Sequence, residues 1–172
     1  EIVSLEPVLE SVTKVLGMYW DTQSDCFTYR LHEEHFQQEL ATHENMPTKR
    51  QMIRLVMKIF DPLGLISHFT IRGKILLQEV WKDGTQWDAP IDAKLLSLWL
   101  EWIKELKGIV RLKIPRQYAS IDMSGTKIEL HVFMDASERA YASCAYLRIE
   151  TEKEIHVVLV GAKAKVVPLK VV

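Results

Sequence analysis

Several familiar chemistries are missing from this chain of 172 residues. It holds two cysteines, Cys26 and Cys144, far apart in sequence. A disulfide framework needs more of them and closer spacing, so a reducing, intracellular setting is expected. No apolar run approaches the ~20 residues of a membrane span, and no signal-peptide pattern opens the chain, so no membrane partner is expected. A Gly-rich phosphate loop and a zinc-binding cysteine pair are both absent. The stretch "HEEH" at 32–35 is one residue short of the HExxH of zinc peptidases. Aspartic peptidases need Asp-Thr-Gly or Asp-Ser-Gly, and the "DTQ" at 21 and "DAS" at 135 lack the glycine. No nucleophile elbow supports a serine hydrolase.

What is present is an ordinary globular composition, 48% hydrophobic and 26% charged, with a net charge of −1. That net value hides an asymmetry. Residues 1–46 carry nine acids and two bases, whereas 47–82 carry seven bases and two acids. A basic middle segment fits either a nucleic-acid face or a solvated helix surface. The abrupt start at Glu1 and the stop at "PLKVV" suggest a piece of something longer.

The element pattern is α+β. Residues 12–20, "VTKVLGMYW", and 26–31, "CFTYRL", are β-type runs flanking "DTQSD", which reads as a β-hairpin with a five-residue loop. The acidic segment 32–45 reads as a linker or a frayed helix. A first helix is expected over 48–60, opened by a Thr48–Gln51 capping box, with Met52, Ile53, Val56, Ile59 and Phe60 on its apolar stripe. Lys49, Arg50, Arg54 and Lys58 are expected off that stripe. Pro62 ends the helix by disfavouring helical geometry at Asp61. A second helix is expected over about 70–82, containing Arg72 and Lys74. A third follows the Asp92 N-cap and buries Leu95, Leu96, Trp99, Trp102, Ile103 and Leu106. After Pro115 come three β-type runs joined by "ASER" and "ETEK", links short enough for antiparallel neighbours.

Asp135 stands out. It closes the apolar run Val132-Phe133-Met134, as though leaving a buried strand. Two readings of it stay open. It is a ligand for Mg²⁺, which prefers hard oxygen donors, or it caps the turn at Ala136-Ser137.

Four stretches occur in a telling order: "KVLGMYWD" (14–21), "PTKRQMIRLVMKIFDPLGLISHFTIRGKILLQEVW" (47–81), "IELHVFMDASERAYASCAYLR" (128–148) and "GAKAKVVPLK" (161–170). Together they closely resemble the pol polyprotein of BEL/Pao-type LTR retrotransposons, from the end of the reverse transcriptase into the RNase H. This region is often filed as a Pao "peptidase" family, a label at odds with the absent triplets.

The resemblance implies a primer-grip-like hairpin with acidic linker over 1–46, thumb and connection helices over 47–110, and the first three strands of an RNase H-like fold over 111–172. It implies that Leu16, Gly17, Met18 and Tyr19 lie near a primer end. It implies that Lys49, Arg50, Arg54, Lys58, Arg72 and Lys74 meet phosphates of duplex nucleic acid or an RNA–DNA hybrid. It implies that Asp135 is the first Mg²⁺-binding aspartate of an RNase H site whose other acids lie beyond residue 172, with the polymerase aspartates upstream of residue 1. On that basis the fragment is expected to be inactive alone, without a cofactor of its own, and to work with the rest of the polyprotein. The alternatives are a domesticated nucleic-acid-binding module and a structural or protein-interaction domain.

Overall fold

A computed structural model describes residues 12–15, 18–30, 46–119 and 125–169. The first sheet opens with β1 (Val12–Val15), β2 (Met18–Asp21) and β3 (Cys26–Thr28), each antiparallel to the next. The run 12–20 is therefore not one strand. Val15 pairs with Met18, so the chain already reverses inside it. The next reversal occupies 22–25 and is fixed by Asp21, whose carboxylate accepts the Gln23 amide at 3.1 Å and the Ser24 hydroxyl at 2.7 Å.

The helices follow. α1 (Lys49–Lys58) opens on the complete capping box: Thr48 Oγ1 accepts the Gln51 amide, and Gln51 Oε1 accepts the Thr48 amide at 2.8 Å. Its buried residues are Lys49, Met52, Leu55 and Val56. Phe60, expected on the stripe, is exposed because the helix has already ended at Ile59. α2 (Ser67–Lys82) starts three residues earlier than its sequence suggests. The reason lies upstream: the Asp61 carboxylate accepts the amides of Leu65 at 2.9 Å and Ile66 at 3.0 Å, satisfying donors at the helix entrance. α3 (Ala93–Ile109) begins where Asp92 accepts the Lys94 amide at 2.7 Å.

The three helices share one core. Its centre is Trp102, fully buried on α3, with Phe69 and Trp99 stacked on it at 5.0 Å. The indole N–H donates to the Phe69 carbonyl at 3.1 Å, so this buried polar group is satisfied. Gly73 of α2 faces the same ring, and a Cβ there would lie 2.6 Å from Cζ2 of Trp102. Beyond α3 the chain returns as β4 (Lys113–Pro115), which pairs antiparallel with β3 and completes a four-stranded sheet in the order β1-β2-β3-β4.

The second sheet is a meander of β5 (Lys127–Ala136), β6 (Ala140–Glu150) and β7 (Ile155–Val166), with a bulge between Ala145 and Tyr146. It docks on the helices through β7. Leu63 O accepts the Ala162 amide at 2.9 Å, and the Gln78 side-chain amide donates to Val167 O. Gly64, at φ +71, touches the Ala162 carbonyl so closely that any Cβ there would collide with it. The α+β order of sheet, three helices and antiparallel meander is the one its sequence pattern implies.

Candidate functional site

Asp135 sits near the end of β5, paired with Ala142 of β6. Its strand is not buried: most of β5 is exposed, and Met134 next to it is 81% exposed. Of the apolar residues that suggested burial, Val132 and Met134 stand exposed on one face of the sheet, and Phe133, also exposed, is on the other. One Asp135 oxygen accepts the amide of the next residue, Ala136, at 2.8 Å. The residue borders a cleft of about 420 Å³ between the meander and the start of α2, whose lining includes Ser67, His68, Cys144 and Tyr146. Asp135 is the one carboxylate in that lining. Among the described residues no three His, Cys, Asp or Glu side chains come together to hold a metal ion. Two-metal phosphoryl chemistry needs several bridging oxygen ligands, so the residues described do not make up a complete Mg²⁺ site.

The six basic residues share the helical layer but not one situation. Lys49 is 7% exposed and lies on the core-facing side of α1, not off the stripe as expected. Its ammonium is 4.8 Å from the ring centroid of Trp81 and 5.9 Å from that of Trp87. Arg50 is exposed but doubly paired with Asp88, at 2.7 and 3.0 Å, and lies over Trp87. The Asp88 carboxylate raises the Arg50 pKa, and Arg50 lowers that of Asp88. Arg72 is paired with Glu105 of α3. Arg54 and Lys58 are exposed on α1, and Lys74 is half-buried on α2.

Of the hairpin residues, Leu16 and Gly17 lie outside the described residues. Met18 and Tyr19 are half-buried on β2. Tyr19 is flanked by two cations, Lys14 at 5.8 Å and Arg30 at 5.6 Å from its ring centroid.

A node that sequence reasoning treated as a helix stop is the turn at 61–64. Besides the two amides at the start of α2, Asp61 accepts the buried Tyr29 hydroxyl at 3.0 Å. Burial first, and then the Asp61 charge, push the Tyr29 pKa up. Gly64, two residues after Pro62, meets β7. The "DPLG" stretch thus joins the first sheet, α2 and the second sheet. Its signal was an aspartate and a glycine bracketing a proline.

The family description "Pao retrotransposon-like RNaseH-like domain" matches residues 48–172. The chain belongs to this Pao family. No curated protein matches it. The Pao match opens on Thr48, the capping residue of α1, and takes in all three helices and the whole meander. It leaves β1–β3 outside, although β4, inside the match, pairs with β3. No helix among the described residues of this Pao-family chain is long and apolar enough to cross a membrane.

Proposed function

We propose that the chain is the junction of a retroelement polyprotein where the thumb and connection of a reverse transcriptase lead into an RNase H-like sheet, and that it grips a template–primer duplex without cutting it. The observation that carries this is the Pao match running unbroken from the first capped helix to the meander that bears Asp135. The helical layer would meet the phosphate backbone, which positions a protein without reading sequence. The buried Lys49 and the acid-paired Arg50 and Arg72 chiefly hold the layer together. Arg54 and Lys58 are exposed on α1, and with Lys74 they would lead the contact.

Fluorescence anisotropy of a labelled RNA–DNA hybrid across a salt series tests this reading. Binding should weaken steeply with salt, because each neutralised phosphate releases counterions. On duplex DNA, Arg54→Gln with Lys58→Gln should flatten the log–log slope by about 1.8, at roughly 0.9 per contact. Failure to bind even at low salt would remove the reading. The purified chain should not hydrolyse the hybrid with Mg²⁺ supplied. Cleavage that disappears in Asp135→Asn would show a working RNase H centre instead.

A second reading, a protein-interaction surface for the rest of the polyprotein, has its own observation. Leu130, Val132 and Met134 stand exposed along one side of β5. Pull-down by adjoining polyprotein segments, lost in Val132→Lys, would favour it.

A further inference from the structure

The far end of the meander carries a group of side chains that the helical reading leaves unused. Tyr141 of β6 pairs with Lys165 of β7, and Ser143 pairs with Lys163. Residues two apart on a strand share a face, and direct partners on neighbouring strands share it too. The four side chains therefore project from one side of the sheet. The lysines are separated by about 6.8 Å along the strand, and each has a hydroxyl side chain about 5 Å away across the ladder.

Both lysines are exposed, Tyr141 is 44% exposed, and Ser143 is half-buried. All four line an open groove, with Met134 and Ala136 of β5 on its far bank. Two like charges this close repel each other unless an anion comes between them, and no ion pair of either lysine is seen among the described residues. The nearest acid, Asp135, borders the groove, but strand alternation turns its carboxylate to the opposite face, where it accepts the Ala136 amide. Glu138 and Arg139, in the adjoining turn, are both exposed and offset each other in charge.

We infer that Lys163, Lys165, Tyr141 and Ser143 form a second anion site that holds successive phosphates of a nucleic-acid strand on the sheet. The inference rests on the nucleic-acid reading above and extends it to an element with which it was not concerned. The two ammonium groups supply charge. The two hydroxyls donate hydrogen bonds to phosphate oxygens, a common use of Ser and Tyr at nucleic-acid backbones. Nothing in the groove reads a base edge, so the contact is indifferent to sequence.

The test uses the full chain, a labelled duplex DNA and an RNA–DNA hybrid of the same sequence. Lys163→Gln with Lys165→Gln should flatten the log–log salt slope on the duplex by about 1.8, at roughly 0.9 per phosphate contact. Tyr141→Phe should weaken binding of both ligands without changing that slope. Amine acetylation read by mass spectrometry gives an independent measure. Bound hybrid should protect Lys163 and Lys165 and leave Lys153, in the turn at the opposite end of β6, reactive. All three substitutions replace partly or fully exposed side chains, and an unchanged circular dichroism spectrum confirms the fold. If the wild type binds but the double variant keeps its slope and the two lysines stay reactive, this site is overturned while the helical reading stands. If the wild type does not bind at low salt, both fall.

Discussion

The Lys49 ammonium lies over two indole rings, with its aliphatic stem running along the core side of α1. Cation–π attraction is worth about 1–2 kcal/mol when the cation is partly desolvated. Lys49→Gln should therefore lower stability by about that amount in a urea melt, whereas Arg54→Gln should be close to neutral. The position was legible in the repeat, since 49, 52, 56 and 59 fall on one helical face. Charge argued it off that face, and the length of a lysine stem, which lets an ammonium reach out from an apolar stripe, was the missing consideration.

Among the described carboxylates, Asp21 and Glu129 are depressed the furthest and lead the acid response. The Ser24 hydroxyl and Lys113 hold the Asp21 carboxyl well below its usual range. Lys127, joined by His131 and Arg148, brings Glu129 down from 4.5 to about 2. A carboxyl whose folded pKa is depressed contributes stability above its unfolded pKa, and that contribution drains away as pH falls toward the folded value. Stability should thus decline between about pH 4.5 and 2, and Asp21→Asn with Glu129→Gln should flatten the decline in thermal melts followed against pH.

At the scale of elements, two glycines set how α2 is seated: Gly73 within the helix and Gly64 in the turn before it. Gly73→Ala would push a methyl into the Trp102 ring, and overpacking of this kind costs about 1–3 kcal/mol. Gly64→Ala would meet the Ala162 carbonyl and would also strain a left-handed backbone. Its expected signature differs: faster hydrogen exchange across β7, with α1 and α3 little changed. The stripe of α3 was readable because Trp99, Trp102, Ile103 and Leu106 repeat at helical spacing over about two turns. The start of α2 was not, because its N-cap, Ile66, has no capping side chain and the turn before it is pinned from Asp61, five residues earlier. A local signature such as Thr48–Gln51 can be seen in a sequence, whereas a carboxylate reaching around a turn cannot.

Across the whole molecule, packing is uneven. The helices and Tyr29 share a continuous core, while β5 presents most of its length to solvent. An exposed strand with an open edge and apolar side chains invites association. Hydrogen exchange should accordingly be faster over 127–136 than over 93–109, and sedimentation should show self-association that grows with concentration and weakens in Val132→Lys. The meander itself was legible from three successive β-type runs with short links. The first sheet was only half legible: β4 is three residues long, and its partner β3 lies far back in the chain.

That pairing has a kinetic consequence. Thr28 and Lys113 face each other across the β3–β4 ladder, so the chain leaves the sheet, builds the helical layer and re-enters one strand away. Closing so long an excursion is entropically expensive for three residue pairs, and contacts distant in sequence form late. The helices should therefore assemble before the ladder shuts. In stopped-flow refolding, a probe at Trp102 should report its native environment earlier than one at Trp20, which lies beside Phe27 in that sheet. A variant with Ile114→Pro, which removes a donor from the ladder, should unfold faster while its helices collapse at an unchanged rate.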